Sequence, residues 1–307
     1  MRSPGPIVVA FHNRPHAGMG RVPDEDGAGS PAVRFTFDPA ERAGADALVV
    51  HLPTCDATGL AATPKPPGQL WVAWSLESRP NCRLLDQAEV MARFDLTMTY
   101  ERASDVWHPY FGPALVTEIR AVEPVPADRR AAAPVVWLGS NGHDRAERAA
   151  QVSQLMRRVR VDSFGTVLRN QDERIPPGVE ARVALYRRYK FVLAFENSTA
   201  PDYVTEKVFD ALRAGSVPVY RGCAEVAELV PSPDCYIDAG DFSSVRELGD
   251  YLDHLDRDDA AYAEWFRWRD RPFQPSFQAA LDQLREPPLR RLARALAERL
   301  GDRILAP

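Results

Sequence analysis

Short apolar runs rich in β-branched and aromatic residues alternate with segments of helical periodicity along most of the chain. Short runs bounded by turn residues are typical of buried strands, and the longer segments repeat apolar side chains at the spacing of amphipathic helices. Strands that alternate with helices predict parallel sheets covered on both faces, an α/β fold. The predicted strands are Ile7–Phe11, Leu48–His51, Leu70–Trp74, Leu96–Tyr100, Val135–Leu138, Val161–Phe164, Phe191–Phe195, Val217–Tyr220 and Tyr236–Ile237, and the predicted helices include Arg145–Arg158, Val179–Tyr189, Tyr203–Arg213 and Val245–Leu255.

A break in composition divides this pattern. The segment Ala121–Pro134 contains three prolines and few large apolar residues, which is typical of a linker. We therefore predict one doubly wound domain over residues 1–130, a second over residues 131–280 and a helical tail over residues 281–307. Ligands bind at the carboxyl ends of the strands in such domains, so we expect a ligand cleft between the two units. The Gly/Pro/Asp-rich stretch His16–Pro31 is predicted to be a loop.

The stretch FENSTAPDYVTEKVFDALRAG gathers polar groups where a predicted strand runs into a predicted helix. With Asp202 as the N-cap and the last glycine of the stretch after the final turn, the helix would carry Tyr203, Glu206 and Lys207 on one face. A helix N-terminus favours anions, so Lys207 there would complete a phosphate-binding site. Glu206 would accept hydrogen bonds from sugar hydroxyls. A solvated charged face on an ordinary amphipathic helix is the alternative, and the residues alone leave both open.

Composition narrows the class of partner. The chain has 307 residues, 45% of them hydrophobic and 26% charged, with a formal net charge of −5. A nucleic-acid binder needs a clustered basic surface, so we expect no nucleic-acid partner. No apolar stretch approaches the roughly 20 residues of a membrane span, and the first apolar run is too short for a signal peptide, so we expect a soluble, cytoplasmic protein. The cysteines match no zinc or redox pattern and are predicted to be reduced: Cys55, Cys82, Cys223 and Cys235.

Residues 189–222, YKFVLAFENSTAPDYVTEKVFDALRAGSVPVYRG, resemble the signature region of the α-1,3/4-fucosyltransferases, glycosyltransferase family 10. Further blocks are similar to that family and follow in the same order along the chain. They are PPGQLWVAWSLESRPN, FDLTMTYERASDVWHPY, and WLGSNGHDRAERAAQV followed by VDSFG. The resemblance covers residues 45–269.

This resemblance implies the GT-B fold, in which two Rossmann-like doubly wound domains face each other across a cleft. It implies that the first domain binds a glycan acceptor and that the second binds GDP-β-L-fucose as the donor substrate. The implied reaction moves L-fucose, with inversion at the anomeric carbon, to a hydroxyl of a glycan that contains GlcNAc or glucose, in an α-1,3 type linkage. No tightly bound cofactor is implied.

The resemblance also implies roles for individual residues. Inversion calls for a base that takes the acceptor proton, and Glu77 matches the family's acceptor-domain glutamate. The departing diphosphate calls for cations, which Arg148 and Lys207 are predicted to supply, with Arg145 as the alternative to Arg148. Two roles stay open for Glu196, a structural one in the turn and a chemical one. The other predicted donor-binding residues are Ser140, Asn141, Asn197, Tyr203 and Glu206.

Departures from the family pattern fall in the first domain. Arg79 stands between the serine and the proline of the glutamate block, Glu101 replaces the arginine that usually follows the tyrosine of the next block, and Ala103 replaces an aspartate. These changes bear on the acceptor more than on the donor. If Glu77 is not the base, Asp105 and Glu101 are the alternatives. The acceptor-side candidates are His51, Tyr100 and Asp105.

No metal site is predicted, because the six histidines are scattered and no Asp-x-Asp pair follows a predicted strand, so we expect metal-independent catalysis. Leucines recur at near-helical spacing between the arginines of residues 281–306, which predicts an amphipathic helix or pair of helices. Its apolar face would pack on the protein itself or adhere weakly to an anionic membrane, placing the protein at the inner membrane face.

Two alternatives to a fucosyltransferase remain open at this point. The same scaffold could use another GDP-sugar or an unusual acceptor. The chain could also be a catalytically inert protein that binds a sugar nucleotide or a glycan.

Overall fold

The computed structural model describes residues 6–14, 33–125, 133–140 and 144–305. Within it the chain forms two compact units, the first from residues 1–109 with 286–307 and the second from residues 110–285. The change of unit at Tyr110 precedes the expected boundary at residue 130. The reason is that the chain just after Tyr110 belongs to the second core: the ring of Phe111 lies 5.3 Å from that of Phe209 and 4.9 Å from that of Phe277.

The first unit contains a six-stranded parallel sheet in the order β2-β1-β3-β4-β5-β6. Two of its strands, β2 and β6, lie outside the predicted set; both are edge strands, and each is too short or too polar to form a clear apolar run. The elements are β1 Ile7–Phe11, β2 Val33–Thr36, β3 Ala47–His51, α1 Ala57–Ala62, β4 Leu70–Ser75, α2 Ala88–Met91, β5 Leu96–Thr99 and β6 Val106–Trp107.

The second unit contains a five-stranded parallel sheet in the order β11-β10-β9-β7-β8. All five strands are among those predicted. The elements are α3 Pro113–Ala121, β7 Val135–Gly139, α4 Arg148–Leu155, β8 Val161–Gly165, α5 Val179–Tyr186, β9 Phe191–Phe195, α6 Glu206–Ala214, β10 Val217–Arg221, β11 Ile237–Asp238, α7 Val245–Arg257, α8 Asp259–Glu264 and α9 Pro275–Gln283.

Alternate side chains of the second sheet enter different cores, as expected for strands covered on both faces. Val135 lies in a cluster with Val152 of α4 and Leu252 of α7, whereas Val136 lies in a cluster with Val183 of α5 and Ala211 of α6. In the first sheet, β2 and β3 flank β1 on opposite sides. In the second sheet, β8 and β9 flank β7 in the same way. The prediction of two doubly wound α/β units is confirmed.

The last helix, α10 Pro288–Leu305, belongs to the first unit. Leu292 and Leu296 are fully buried in the same cluster as Val9 and Phe11 of β1. Arg291 of this helix donates a 2.5 Å hydrogen bond to the carbonyl of Trp107 at the end of β6. The predicted amphipathic tail therefore uses its leucine face to cover the first sheet. Among the described helices, none combines the length and the apolar character that crossing a bilayer requires.

Candidate functional site in the second unit and the carboxyl edge of the first

The polar residues between the end of β9 and the start of α6, among them Glu196 and Lys207, form a polar cluster. This cluster lies at the point where the strand order of the second sheet reverses. β7 and β9 are neighbours, and the chain leaves β7 toward α4 on one face of the sheet and β9 toward α6 on the other. Such a switch point opens a crevice at the carboxyl ends of the two strands and is where open α/β sheets bind ligands. Arg148 begins α4, and Glu196 directly follows β9, so both flank this crevice.

Lys207 lies among oxygen atoms of its own unit. Its Nζ is 2.8 Å from Thr205 Oγ1, 3.0 Å from Glu196 Oε2 and 3.2 Å from Glu206 Oε1. An ammonium has three donors, so these contacts match its full hydrogen-bonding capacity. Burial alone would lower the pKa of Lys207, but the two glutamates outweigh it and leave the pKa raised. Lys207 is therefore a charged group that links the end of β9 to the start of α6.

Glu196 is completely buried and organises the turn before α6. Its carboxylate accepts the backbone N–H of Thr205 at 2.9 Å and the Thr205 hydroxyl at 2.8 Å. Burial raises the pKa of Glu196, and the nearby ammonium of Lys207 opposes part of that rise. Of the two roles left open by the sequence, these contacts are those of a structural carboxylate that fixes the start of the helix.

The helix starts later than the sequence predicts. Its first residue is Glu206 and its N-cap is Thr205, so the predicted cap at Asp202 is wrong. Asp202 instead has a left-handed backbone, with φ 61°, and Glu196 anchors the helix start at Thr205. Tyr203 consequently lies in the loop and not on the helix face with Glu206; it is 2% exposed, and its ring meets that of Tyr110 edge-on at 6.3 Å.

The C-terminal end of α6 is as predicted. Gly215 adopts φ 76° directly after the last helical residue. A side chain there would meet the carbonyl oxygen of Glu123 at 2.2 Å, and the Gly215 carbonyl accepts the N–H of Val125 at 2.7 Å. Glycine thus allows the segment after α3 to lie against the end of α6.

Further charged groups surround Glu206. Arg182 of α5 pairs with the buried Asp210 of α6 at 2.5 Å. Burial raises the pKa of Asp210 to about 6 in spite of that arginine. Burial would also raise the pKa of Glu206, but Lys207 and Arg182 together leave it lowered. Glu206 is thus held ionised with a side chain that is 37% exposed. Arg182 was not identified from the sequence because no local motif distinguishes it from other helix arginines.

The two arginine candidates differ in environment. Arg148 is 5% exposed; its Nη1 lies 3.5 Å from the carbonyl oxygen of Phe195, and its Nε lies 3.9 Å from Asp144 Oδ1. Its charge also acts on Lys207, whose pKa it lowers in part. Arg145 is exposed, and its backbone N–H bonds to the carbonyl of Asn197 at 2.8 Å. Both arginines are therefore held beside the carboxyl end of β9.

Two other predicted donor-binding residues lie at the same edge. Asn197 is 5% exposed, and its Oδ1 has no hydrogen-bond partner within the described ranges of the chain. Ser140, at the end of β7, is exposed, and its carbonyl accepts the hydroxyl of Thr166 at 3.1 Å. Asn141 lies outside the described residues.

Glu77, the predicted base, lies in the first unit. It follows β4 by two residues, is half-buried, and its Oε2 accepts a 3.3 Å hydrogen bond from Asn81 Nδ2. Its backbone carbonyl accepts the hydroxyl of Ser75 at 2.9 Å, which fixes the loop. His51 ends the neighbouring strand β3, with Nδ1 2.8 Å from the hydroxyl of Thr54. These two candidates therefore belong to adjacent strand ends of one sheet.

The other acceptor-side candidates make structural contacts. Tyr100 is 1% exposed, and its hydroxyl accepts the backbone N–H of Arg79 at 3.2 Å. Asp105 accepts the N–H of Thr97 at 2.8 Å and lies 3.3 Å from Arg299 of α10. Both side chains connect elements of the first unit.

The two charged departures from the family pattern meet in the structure. Arg79 forms a bidentate ion pair with Glu101, with Nε–Oε1 at 2.5 Å and Nη2–Oε2 at 2.8 Å. This hydrogen-bonded carboxylate is the first cause of the raised pKa of Arg79. Glu101, an alternative base on the sequence alone, is therefore the partner of an arginine.

Three ring nitrogens at the carboxyl edge of the first sheet were not identified from the sequence. His12 Nδ1, Trp74 Nε1 and His108 Nδ1 are buried and have no hydrogen-bond partner among the residues described. The rings of Trp74 and His108 are stacked at 6.2 Å, and burial lowers the pKa of His108 to about 4. The only signal in the sequence is position, since His12 directly follows a predicted strand, Trp74 ends one, and His108 lies within a motif block.

The described residues contain no group of three or more His, Cys, Asp or Glu side chains placed to hold a metal ion.

Two family descriptions match the chain: "Fucosyltransferase, N-terminal" over residues 25–111 and "Glycosyltransferase family 10 (fucosyltransferase) C-term" over residues 128–299. Among curated proteins, the chain is 34% identical over 259 residues to the human 3-galactosyl-N-acetylglucosaminide 4-alpha-L-fucosyltransferase FUT3, covering 83% of this chain and 69% of that protein. It is also 34% identical over 258 residues to the human 4-galactosyl-N-acetylglucosaminide 3-alpha-L-fucosyltransferase FUT5, covering 82% and 67%.

Solved structures agree on the fold. An alpha1,3-fucosyltransferase with GDP superposes with a TM-score of 0.63 at 16% identity, covering 96% of this chain and 92% of that one. The same kind of enzyme with GDP-fucose gives a TM-score of 0.61 at 17% identity, covering 96% and 91%.

Proposed function

Because this chain belongs to the fucosyltransferases of glycosyltransferase family 10 and has their GT-B class of fold, we propose that it transfers L-fucose from GDP-β-L-fucose to a hydroxyl of a glycan. The acceptor contains GlcNAc or glucose, the linkage is of the α-1,3 type, and the anomeric carbon is inverted. The observation that carries the proposal is the cluster of Lys207, Glu206 and Arg148 at the switch point of the second sheet.

The donor side of the proposal assigns different tasks to the two cations. Lys207 is engaged by two glutamates and a threonine, so its first task is to keep Glu206 ionised and aligned. Glu206, ionised and partly exposed, accepts hydrogen bonds from hydroxyls of the ribose or of the fucose. Arg148 supplies the planar guanidinium that suits two oxygens of the departing diphosphate. The charge of Lys207 adds to the positive potential there, because it lies close enough to Arg148 for their charges to interact.

The start of α6 adds a further element to the donor site. Glu196 fixes Thr205 at the N-cap, so the first N–H groups of the helix are held in place before a donor binds. A helix N-terminus favours anionic groups, and preorganised dipoles stabilise charge that develops as a bond breaks. Asn197, with its buried unpartnered amide oxygen among the described residues, is the proposed acceptor for a donor-ligand N–H or O–H.

The acceptor side of the proposal rests on Glu77. Inversion proceeds by one direct displacement: the acceptor oxygen forms its bond to the anomeric carbon of fucose as the bond to the diphosphate breaks. Glu77 removes the proton of the acceptor hydroxyl in that step. The hydrogen bond from Asn81 directs the carboxylate of Glu77, and a carboxylate accepts several hydrogen bonds at once.

The test is a panel of donors and acceptors with the full chain. We expect release of GDP from GDP-fucose, but not from GDP-mannose, together with a fucosylated product when lactose or N-acetyllactosamine is present. Nuclear magnetic resonance of the product gives the linked carbon and the anomeric configuration. Transfer from another GDP-sugar alone would reassign the donor. Retention of GDP-fucose without any turnover, across acceptors, would make the chain a binding protein.

A further inference from the structure

A groove runs along the β11 side of the second unit, and its walls contain none of the residues assigned above. It consists of two cavities, of about 440 and about 430 Å³, that share Asp234, Tyr251 and Trp265 in their walls. Each volume lies in the range of cavities that hold small ligands. A smaller cavity, of about 210 Å³, shares Phe242 with the second of these and reaches Phe195 at the end of β9. The groove therefore extends from the helices α7 and α8 to the carboxyl edge of the sheet.

The walls of this groove are aromatic and rigid. Phe242, Tyr251 and Trp265 are partly buried, and each packs on the core of the second unit. The rings of Phe242 and Tyr251 also lie 5.4 Å apart. Each ring is thus fixed by the core and also forms part of a cavity wall. Fixed aromatic faces bind the C–H faces of sugar rings at a low entropy cost, because few rotatable bonds have to be ordered.

Polar groups line the same groove. The walls of the two larger cavities contain four carboxylates, those of Asp234, Asp238, Asp241 and Glu264, against two arginines, Arg267 and Arg271. Asp234 lies 3.5 Å from Arg271, and Glu264 lies 2.5 Å from Arg267. Carboxylates accept hydrogen bonds from adjacent hydroxyls, whereas their surplus repels phosphate and sulfate. The groove therefore disfavours a second nucleotide, and its carboxylates can accept hydrogen bonds from a hydroxyl-rich ligand.

We propose that this groove is a second glycan-binding site, which takes a neutral oligosaccharide. Tyr251 and Trp265 provide the stacking faces, and Asp234 and Asp238 accept hydrogen bonds from sugar hydroxyls. The choice of a glycan as the ligand rests on the proposed function. The site itself contains none of the residues assigned to fucosyl transfer, so it would retain acceptor glycans or direct the enzyme to clustered glycans without taking part in the chemistry.

The experiment maps binding without catalysis. The full chain is incubated, without GDP-fucose, with a neutral tetrasaccharide of two N-acetyllactosamine units that carries a photoreactive diazirine, and the crosslinked peptides are identified by mass spectrometry. We expect crosslinks to peptides that contain Tyr251 or Trp265. Trp265→Ala should weaken their formation about tenfold, the equivalent of one well-stacked ring. Asp253→Asn, on the same helix as Tyr251 but outside the cavity walls, is the matched control and should leave them unchanged.

A second variant distinguishes the loss of glycan binding from misfolding. Asp234 is exposed, so Asp234→Ala should preserve the fold and still weaken the crosslinks. Crosslinks confined to the first unit, or equal crosslinking in the wild type, Trp265→Ala and Asp234→Ala, would overturn the proposal. The two proposals can fail separately. A chain without transferase activity that still crosslinks at the groove would contradict only the proposed function. An active transferase that does not crosslink at the groove would contradict only the second glycan-binding site.

Discussion

Replacement of Lys207 by methionine removes one charge from the centre of the proposed donor site while keeping most of the side chain's length. In the wild type the ammonium lies 3.0 Å from Glu196, 3.2 Å from Glu206 and 2.8 Å from Thr205, and a thioether can replace none of these interactions. Glu196 is the critical partner, because it is completely buried and would be left without its cation. The variant therefore tests whether this lysine supports the fold of the site as well as its charge.

The expected cost is large for one side chain. Removal of one partner from a buried ion pair destabilises a protein by about 3–5 kcal/mol. Lys207 is itself 22% exposed, and Glu196 can take up a proton once the ammonium has gone, so the lower end applies. We expect the free energy of unfolding of the second unit to fall by about 3 kcal/mol near pH 8.

The loss should depend on pH in a defined direction. Burial already raises the pKa of Glu196 above that of the unfolded chain, and without Lys207 the folded-state pKa rises further. The folded variant then binds more protons than the unfolded chain between these two pKa values, so its stability falls as the pH rises through that range. The deficit relative to the wild type should consequently be greatest above the folded-state pKa and shrink as the solution is acidified.

Urea unfolding at about pH 5 and about pH 8, followed by the fluorescence and circular dichroism of the full chain, measures both effects. Glu196→Gln and the double variant complete a mutant cycle, in which the neutral pair should recover part of the loss. GDP affinity, measured by calorimetry, should also fall in Lys207→Met. An equal deficit at both pH values together with additive mutations would refute the pairing with Glu196, and unchanged stability would make Lys207 a surface charge.

Three other substitutions, two of them paired with a comparison variant, test separate parts of the interpretation. Glu77→Gln should lower kcat by about 10²–10⁴-fold while leaving GDP affinity nearly unchanged, and a variant that keeps more than about a tenth of wild-type turnover would place the base elsewhere. Arg148→Ala should lower kcat/KM about tenfold or more, and Arg145→Ala much less; the reverse order in steady-state kinetics would assign the diphosphate to Arg145. Leu296→Ala should cost the first unit about 2–5 kcal/mol in chemical unfolding and the exposed Glu298→Ala less than about 0.5 kcal/mol, whereas equal destabilisation would contradict the packing of the last helix.

The interior strands were predictable because their pattern is strong. β1 and β9 have the predicted bounds, and each is a run of five apolar residues that burial on both faces requires. The short edge strands β2 and β6 were missed because an edge strand needs neither a long apolar run nor a second buried face. Their pairing depends on the neighbouring strand, which the local sequence does not contain.

The start of α6 shows what a local pattern cannot supply. Asp202 is a good N-cap by residue type, but the helix begins at Glu206 because Glu196 binds Thr205 from across the turn. The same limit applies to Arg182, whose partner Asp210 lies on the next helix along the chain. The sequence thus indicated which residues gather at the switch point, whereas their partners within the cluster follow only from the folded structure.

The helix α10 has a consequence for the order in which the chain can fold during synthesis. The first sheet is synthesised early, but Leu292 and Leu296, which cover one of its faces, follow the whole of the second unit along the chain. At about 5–20 residues per second, the ribosome takes on the order of ten seconds to add residues 110–285 before these leucines emerge. The nascent first sheet must keep that apolar face uncovered, or shielded by a chaperone, for this time. The second unit is contiguous in the chain and can complete its own core first.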